Sequence, residues 1–298
     1  MHEESPSVPS SDGFQDLSGL DPETYYDEYG HEEWDRLEAT LGGHLEFEGT
    51  TDYLRRYLPE ATDESNPPRV LDAGGGAGRY SVWLAERGYE VTLADLSQRQ
   101  CTIAREKARE HDVATSVTVE RADIRQLPFD RDRFDAVCCT GGPLSHLTEE
   151  TDRSQALEEL RRVARADSPV FVSVMGRLAV LQNLVRSVGY ATGVPALATD
   201  GTYDAAFARE HLDHLEEPGF TACHFFRAPE LEAVLEAAGF RVEALAGLEG
   251  FAANVGERHD LEDLDADVVD SVTEAVREHR TDPAVVDLSN HILAVARV

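Results

Sequence analysis

The stretch RVLDAGGGAGRY, from Arg69 to Tyr80, is an apolar run that ends in four glycines within five residues. An apolar run that breaks into glycines is typical of a buried strand followed by a tight turn. Because glycine has no Cβ, such a turn lets the backbone lie close to a ligand. The stretch therefore predicts a strand, a ligand-binding turn and the start of a helix.

Downstream of this turn, apolar strand patterns alternate with amphipathic helix patterns. The predicted strands are RVLDA, YEVTLAD, SVTVERAD, FDAVCCT and PVFVSVM, then a strand–helix–strand unit in CHFFRAPELEAVLEAAGFRVEALAGLEG and a final strand in NHILAVARV. Helices between the strands imply crossover connections onto a parallel sheet that is covered on both faces. The prediction is a doubly wound α/β fold whose sheet is mostly parallel, with an antiparallel last strand.

The region before the first strand is predicted to be helical. One helix is expected in DPETYYDEYGHEEWDRLEATLGG, ending at Gly42-Gly43, and a second in EFEGTTDYLRRYLP, ending at Pro59. We interpret residues 20–65 as an N-terminal helical cap and the acidic, Ser/Pro-rich residues 1–19 as a disordered leader. No basic-then-apolar signal peptide and no run of ~20 apolar residues is present, which predicts a cytoplasmic protein without a membrane segment.

The charge is strongly acidic. The net charge of −31 comes from 58 acidic and 27 basic residues, and Lys107 is the only lysine. Such a composition resembles proteins of salt-accumulating halophiles, where molar salt screens the repulsion between surface carboxylates. The sequence has no basic stripe that would bind phosphates, which disfavours a nucleic-acid partner.

The cysteines and histidines show no metal-binding pattern. Cys101, Cys138, Cys139 and Cys223 include no CxxC pair and no zinc-ligand spacing. We therefore expect buried, reduced thiols and no metal site.

The glycine turn has the pattern D-x-G-x-G-x-G, formed by Asp72, Gly74, Gly76 and Gly78. A dinucleotide pattern G-x-G-x-x-G that starts at Gly74 requires a glycine where Arg79 stands, which weakens an NAD site. An acidic residue just before the glycines suits a turn that binds S-adenosylmethionine. These four residues are therefore predicted to bind the cofactor.

Asp95 ends the second predicted strand and is followed by Leu96. A carboxylate at this position can accept both hydroxyl groups of a ribose. Because NAD enzymes place an acid in the same way, Asp95 predicts a nucleoside rather than one cofactor. Both residues are candidates for cofactor binding.

The segment ADIRQLPF follows the third predicted strand and precedes FDAV. Together with the glycine pattern and Asp95, it resembles the class I S-adenosylmethionine-dependent methyltransferases, which have a Rossmann-like, seven-stranded sheet. The resemblance implies S-adenosylmethionine as the cofactor. It also implies that Asp123 accepts a hydrogen bond from the adenine amino group and that the Ile124 backbone amide caps an adenine ring nitrogen.

The resemblance covers residues 66–298 except for 176–222, an insertion after the fifth strand. We interpret residues 66–298 as the methyltransferase domain. An insertion at this place lies beside the ligand-binding edge of the sheet. Residues 176–222 are therefore predicted to be a lid that selects the substrate, with an ordinary packing excursion as the alternative.

The segment CTGGPLSHLTEE follows the fourth predicted strand. Thr140 and Gly141 are expected to border the methionine part of the cofactor. His146 is the candidate general base, with a structural hydrogen-bonding role as the alternative. Tyr25 and Tyr26 are candidates to close over the cofactor, or else pack the N-terminal helices.

Two glutamates lie at the start of the second predicted helix. Glu46 and Glu48 could reach a substrate pocket, but we favour a solvated helix start in such an acidic protein.

These observations predict an enzyme that transfers a methyl group from S-adenosylmethionine to a small molecule. An RNA- or protein-directed methyltransferase is disfavoured, since Gly142-Pro143-Leu144 stands where amino-directed nucleic-acid enzymes often have Asn/Asp-Pro-Pro-Tyr/Phe. A non-catalytic S-adenosylmethionine-binding module and an NAD-dependent oxidoreductase stay open. The acceptor atom, the use of a general base and the oligomeric state are not predicted.

Overall fold

The computed structural model describes residues 17–63, 65–186, 193–212, 220–256 and 258–298. The strands in this part of the chain are β1 (Arg69–Ala73), β2 (Glu90–Asp95), β3 (Val117–Arg121), β4 (Ala136–Cys139), β5 (Pro169–Met175), β6 (Thr202–Tyr203), β7 (Cys223–His224), β8 (Arg241–Gly247) and β9 (His291–Arg297). The α-helices are α1 (Pro22–Tyr29), α2 (Glu32–Ala39), α3 (Leu41–Tyr57), α4 (Arg79–Ala85), α5 (Gln98–Glu110), α6 (Glu150–Val163), α7 (Arg177–Arg186), α8 (Val194–Asp200), α9 (Ala205–His211), α10 (Ala228–Ala237), α11 (Ala253–Gly256), α12 (Ala266–His279) and α13 (Pro283–Val286).

The main sheet has seven strands in the order β3-β2-β1-β4-β5-β9-β8. All neighbouring pairs are parallel except those of β9, which runs antiparallel to both β5 and β8. The predicted α/β fold with an antiparallel last strand is confirmed. The strand order reverses between β1 and β4, so a crevice opens at the carboxyl ends of these two strands, where open α/β sheets bind ligands.

The sheet has a hydrophobic core on each face because successive residues of a strand point to opposite sides. Leu71 of β1 packs with Val137 and Leu157 on one face. Its neighbour Val70 packs with Phe171 and other buried residues on the opposite face. The four cysteines are buried and free, as the sequence predicted.

The segment that begins CHFF does not join the main sheet. Instead β7 pairs with β6 in a separate two-stranded sheet, with Thr202 opposite His224 and Tyr203 opposite Cys223. The reason is local packing: Cys223 belongs to a smaller cluster that also contains Leu20 and Phe207. This second core joins the insertion after β5 to the start of the described chain.

The single helix predicted over residues 21–43 is wrong. Gly30, at φ +57°, separates α1 from α2. Thr40 then starts α3 by accepting a 3.1 Å hydrogen bond from the Gly43 amide, so the two glycines lie inside a helix. A Cβ at Gly43 would stand 2.3 Å from the Arg36 carbonyl oxygen. Glycine is therefore required by the close crossing of α2 and α3.

The predicted leader lies mostly outside the described residues, which begin at 17. Ser18–Leu20 form a short 3₁₀ helix, and Leu20 is buried. The described residues of this segment, from 17 to 20, are thus tied to the fold. Within the described ranges, no helix is both long enough and apolar enough to cross a membrane.

Candidate active site

The glycine turn after β1 has a backbone that only glycine adopts easily. Gly74 and Gly76 have φ values of +72° and +52°. The Gly74 amide donates a 2.7 Å hydrogen bond to the Ala94 carbonyl oxygen of β2. A Cβ at Gly74 would lie 2.4 Å from Cγ of Pro143. The turn is therefore held between two loops at the carboxyl edge of the sheet.

Asp95 joins this turn to the next helix. Its Oδ2 accepts a 2.9 Å hydrogen bond from the Gly76 amide, and its Oδ1 accepts one of 2.9 Å from the Ser97 amide. Burial raises the pKa of Asp95 to about 6 despite these donors. The carboxylate therefore stands at the crevice with lone pairs left for further donors.

Two of the predicted cofactor residues lie behind the turn and do not face the crevice. Asp72 is fully buried and accepts a 2.7 Å hydrogen bond from the Ser81 hydroxyl, and burial raises its pKa to about 6. Gly78 is the N-cap of α4, and a Cβ there would stand 3.1 Å from that of Ala104. Both residues support the turn.

A cavity of about 340 Å³ opens in front of the turn, and we call it the glycine-turn cavity. It is within the range of small-molecule sites. Its lining includes nine of the predicted residues: Gly74, Gly76, Asp95, Leu96, Asp123, Ile124, Thr140, Gly141 and His146. Residues far apart in the sequence are thus brought together as the motifs predicted.

Asp123 lies in this cavity with a strong partner of its own. The guanidinium of Arg125 donates to its Oδ2 at 2.6 Å and contacts Asp152 at 2.5 Å. Burial raises the pKa of Asp123, but the hydrogen bonds and charge of Arg125 outweigh it and bring the pKa below its ordinary value. The carboxylate is therefore ionised and fixed in place.

Thr140 and Gly141 lie at the end of β4. Among the described residues, the buried Thr140 hydroxyl oxygen has no hydrogen-bond partner, although the residue lines the glycine-turn cavity. Gly141 has φ +83°, and its amide donates a 2.8 Å hydrogen bond to the Ser173 hydroxyl. The unpartnered hydroxyl is available to a bound polar group.

His146 has a partner at each ring nitrogen. Its Nδ1 lies 3.3 Å from the Ala222 carbonyl oxygen, and its Nε2 lies 3.0 Å from the Tyr26 hydroxyl. Because a carbonyl only accepts, Nδ1 carries the proton and Nε2 accepts from Tyr26. Burial lowers the pKa of His146 to about 4, so the ring is neutral at physiological pH.

A second cavity, of about 460 Å³, adjoins the first. We call it the aromatic cavity because seven tyrosine and phenylalanine rings line much of it: Tyr25, Tyr26, Tyr29, Tyr203, Phe207, Phe220 and Phe225. The predicted insertion supplies a large part of this wall, and α1, α2, the loop after β4 and the start of β9 also contribute. Its residues 187–192 and 213–219 lie outside the described chain.

The two cavities meet at four residues that line both: Tyr26, Glu33, Arg36 and Gly141. Tyr25, predicted to close over the cofactor, lines only the aromatic cavity, and the neighbouring Tyr26 reaches the glycine-turn cavity. On α1 the two adjacent side chains point in different directions. The junction is therefore formed by the N-terminal helices and the loop after β4.

A buried charge network lies at the polar end of the aromatic cavity. Arg36 donates to both carboxylate oxygens of Glu46, at 2.5 and 3.1 Å. His291 lies 3.4 Å from Glu46 and 2.7 Å from Glu249. Although burial lowers the pKa of His291, the two glutamates raise it to about 9. His291 is therefore cationic at neutral pH.

This network corrects the interpretation of Glu46 as a solvated residue. Glu46 is 1% exposed in the middle of α3, where burial raises its pKa but Arg36 and His291 bring it below the ordinary value. The donor atoms of Glu46, Glu249 and His291 lie within 4.8 Å of one another, a spacing that a metal ion can use. The carboxylates of Glu46 and Glu249 are already paired with the cations Arg36 and His291.

Two of the four junction residues, Glu33 and Arg36, were missed by the motif analysis. Tyr26, Tyr29, Glu33 and Arg36 recur at intervals of three and four residues, which is the spacing of one helix face. That spacing was the available signal. It is weakened by Gly30, which ends α1, and the face forms only because α1 and α2 pack together.

Comparison with known proteins agrees with this architecture. The family described as "Methyltransferase domain" matches residues 70–167. A ubiquinone/menaquinone biosynthesis C-methyltransferase of Pectobacterium carotovorum is 31% identical over 190 residues, 58% of this chain and 74% of that protein. A glycine/sarcosine N-methyltransferase of Parasynechococcus marenigrum is 34% identical over 142 residues, 47% of this chain and 48% of that protein.

Several other curated relatives are also matched over about half of their length. Among solved structures, a methyltransferase from Methanosarcina mazei has a TM-score of 0.57 at 18% identity, covering 82% of this chain and 96% of that one. The likeness to this solved structure supports a shared fold, and the sequence identity to the curated relatives establishes the family. The chain therefore belongs to the class I S-adenosylmethionine-dependent methyltransferases, whose cofactor is S-adenosylmethionine.

Proposed function

We propose that the protein transfers a methyl group from S-adenosylmethionine to a small molecule with a largely apolar body. The observation that carries this proposal is the contact between two cavities of different character. In-line methyl transfer requires donor and acceptor to approach from separate sites that share one boundary. Tyr26, Glu33, Arg36 and Gly141 form such a boundary.

The glycine-turn cavity fits the cofactor in its donor set. Asp95 would accept the ribose hydroxyls, since its carboxylate faces the cavity. The unpartnered Thr140 hydroxyl and the adjacent Gly141 suit the polar methionine end. Asp123 and Ile124 would hold the adenine ring. When bound, S-adenosylmethionine supplies an activated methyl group on its sulfonium.

The aromatic cavity is the proposed acceptor site. Its rings and aliphatic side chains make most of the wall apolar, and the charged pair Glu33 and Arg36 lies at the junction. We propose that residues 176–222 and the N-terminal cap act as the lid over this site. Two of the relatives bear the names of small-molecule methyltransferases, which supports a small acceptor.

His146 was predicted as the general base, and its contacts favour a different role. Its Nε2 accepts from Tyr26 and its Nδ1 donates to Ala222, so neither nitrogen is left for an acceptor. We propose that His146 is a positioning residue. It fixes the Tyr26 hydroxyl at the boundary between the two cavities.

The acidic composition supports the proposal of a cytoplasmic protein adapted to high salt. Binding and activity are therefore best measured in molar KCl, where repulsion among the surface carboxylates is screened. The sequence has no basic stripe of the kind that would favour a nucleic-acid acceptor.

Calorimetric titration with S-adenosylmethionine and S-adenosylhomocysteine in molar KCl tests the cofactor site. We expect one saturable site for each ligand. Transfer of label from methyl-labelled S-adenosylmethionine into fractions of a cell extract then tests the acceptor class. Label is expected in the small-molecule fraction, with heat-inactivated protein as the control.

Other results identify the alternatives. Label in acid-precipitated RNA or protein would replace the small-molecule proposal with a macromolecular acceptor. Binding without any transfer would indicate a non-catalytic module. Absence of binding to both ligands, with saturable binding of NAD, would overturn the proposal entirely.

A further inference from the structure

The aromatic cavity contains an acidic residue whose pairing is weak. Glu33 is the carboxylate among the described residues that line this cavity, and it also lines the glycine-turn cavity. Its side chain is 19% exposed, and this exposure faces the two cavities. Its ion pair among these residues is a 3.5 Å contact with Arg36 Nε.

The neighbouring cations are already bound elsewhere. Arg36 donates to both oxygens of Glu46 at 2.5 and 3.1 Å, which are shorter contacts than the one to Glu33. His291 is held by Glu249 at 2.7 Å. The cluster thus has three carboxylates against two cations, and the uncompensated negative charge lies nearest Glu33.

Aromatic rings surround the same corner of the cavity. Tyr25 stacks on Tyr29 with ring centroids 5.8 Å apart, and Phe220 meets Tyr25 edge-on at 5.5 Å. The pKa values of both tyrosines are raised, first by burial and next by the charge of Glu33. A carboxylate among ring faces is an arrangement that attracts organic cations.

We propose that the acceptor is a primary or secondary amine on an apolar body, and that Glu33 binds its nitrogen at the boundary with the cofactor. This proposal rests on the proposed function and names its substrate class. Bound as an ammonium ion, the acceptor supplies the positive charge that the cluster lacks. A carboxylic acid would instead bring a second negative charge toward Glu33 and would be excluded.

The same contact serves the chemistry. Glu33 takes one N–H proton from the ammonium group, which frees the nitrogen lone pair. That lone pair forms the new N–C bond while the C–S bond of the donor breaks, and the bonding electrons stay on sulfur. The products are the methylated ammonium ion and S-adenosylhomocysteine, with the proton on Glu33. Burial raises the pKa of Glu33, and Glu46 and Asp95 also raise it against the effect of Arg36, which suits a proton acceptor.

The test uses three probes with one phenyl body: 2-phenylethylamine, 2-phenylethanol and 3-phenylpropionate. Each is titrated into the full chain in molar KCl, with and without S-adenosylhomocysteine. We expect the amine to bind at least tenfold more tightly than the other two. Glu33→Gln should weaken amine binding about 10- to 100-fold, the size of a charged hydrogen bond, and leave the alcohol nearly unchanged.

Glu32→Gln is the matched control, because Glu32 is the exposed neighbour on α2. It should leave all three affinities unchanged. S-adenosylmethionine carries a positive sulfonium and S-adenosylhomocysteine does not. The ratio of their affinities therefore shows whether Glu33 instead binds the sulfonium charge. We expect Glu33→Gln to leave this ratio unchanged, and the retained S-adenosylhomocysteine affinity also shows that the variant is folded.

Several results would overturn the proposal. One is equal or tighter binding of the alcohol or the carboxylate, and another is no measurable amine binding at millimolar concentration. A third is a Glu33→Gln variant that changes the cofactor ratio but not the amine affinity. Failure of S-adenosylhomocysteine to bind the wild type would overturn the proposed function instead, so the two failures are distinct.

Discussion

The glycine-turn cavity and the aromatic cavity are adjacent but are built in different ways. The first is formed mainly at the ends of β1 to β4, by turns whose residues lie close together in the sequence, such as Gly74 and Gly76, and the N-terminal helices line one side of it. The second is formed where the N-terminal helices, the insertion after β5 and the start of β9 converge. The proposed cofactor side is therefore mainly a local structure on the sheet, and the proposed acceptor side is an assembly of distant segments.

The way the polar groups are held differs as well. Asp95 is bound by the backbone amides of its own neighbourhood, Gly76 and Ser97. In the aromatic cavity, Arg36 and His291 are instead held by side-chain carboxylates, Glu46 of the next helix and Glu249 before β9. This difference explains how one cofactor site can serve many acceptors within a family: the acceptor side can change without altering the turns.

The largest expected effect is on the charge network below the aromatic cavity. Glu46→Gln removes the charge of the nearest partner of Arg36 and of a partner of His291, which leaves these two partly buried cations short of negative charge. We expect the free energy of unfolding to fall by about 3 kcal/mol. Urea denaturation in molar KCl measures it. Glu48→Gln, two residues along on α3, is the control and should change it by less than about 0.5 kcal/mol. Equal stability of the two variants would show that the network does not support the fold.

The next effect concerns the cofactor side. Asp95→Ala removes the carboxylate proposed to accept two ribose hydroxyls, so S-adenosylhomocysteine affinity should fall about 100-fold. Calorimetry measures it, and Glu120→Ala on the exposed surface of β3 is the control. Unchanged affinity in Asp95→Ala would remove this residue from the site.

The pH dependence of binding sharpens the same prediction. Without bound cofactor the pKa of Asp95 is about 6. Ribose hydroxyl groups that donate to this carboxylate favour its ionised form. Affinity in the wild type should therefore be constant above pH 7 and fall as the pH drops through about 6. The Asp95→Ala variant should lose most of this slope. A slope that persists would assign the titration to another group, of which Asp72 is the nearest in pKa.

The smallest effect is expected for Tyr25, which sequence analysis assigned to the cofactor. Because the side chain lines the aromatic cavity alone, Tyr25→Phe should change S-adenosylhomocysteine affinity by less than about twofold. Tyr26→Phe, which loses the hydrogen bond to His146, should have the larger effect, about fivefold. A reversed order would mean that the boundary between the cavities lies elsewhere.

Much of the fold could be predicted because its signals are local. RVLDAGGGAGRY predicted the strand and turn, and PVFVSVM coincides with β5. The errors came where packing overrides a local signal. Gly42 and Gly43 are helix breakers by propensity, yet they lie inside α3, and at Gly43 α2 crosses too closely for a side chain.

The motifs also predicted which residues lie near the site better than they predicted what each residue does there. Asp72 and Gly78 belong to the turn as predicted, but their side of it faces the core and not the cavity. His146 lies in the glycine-turn cavity, yet its hydrogen bonds depend on Ala222 and Tyr26, which are 76 and 120 residues away in the chain. No spacing rule connects such positions.

The sequence by itself determined the sheet, the glycine turn and the carboxylates around it, because each depends on residues within one strand–turn–helix unit. Tertiary structure alone decided which side chains border the proposed acceptor site. Glu33 and Arg36 lie on α2 and His291 on β9, and Glu46 is buried only because α3 packs beneath them. The free energy of a buried charge depends on all its neighbours at once, and that environment exists only in the folded chain.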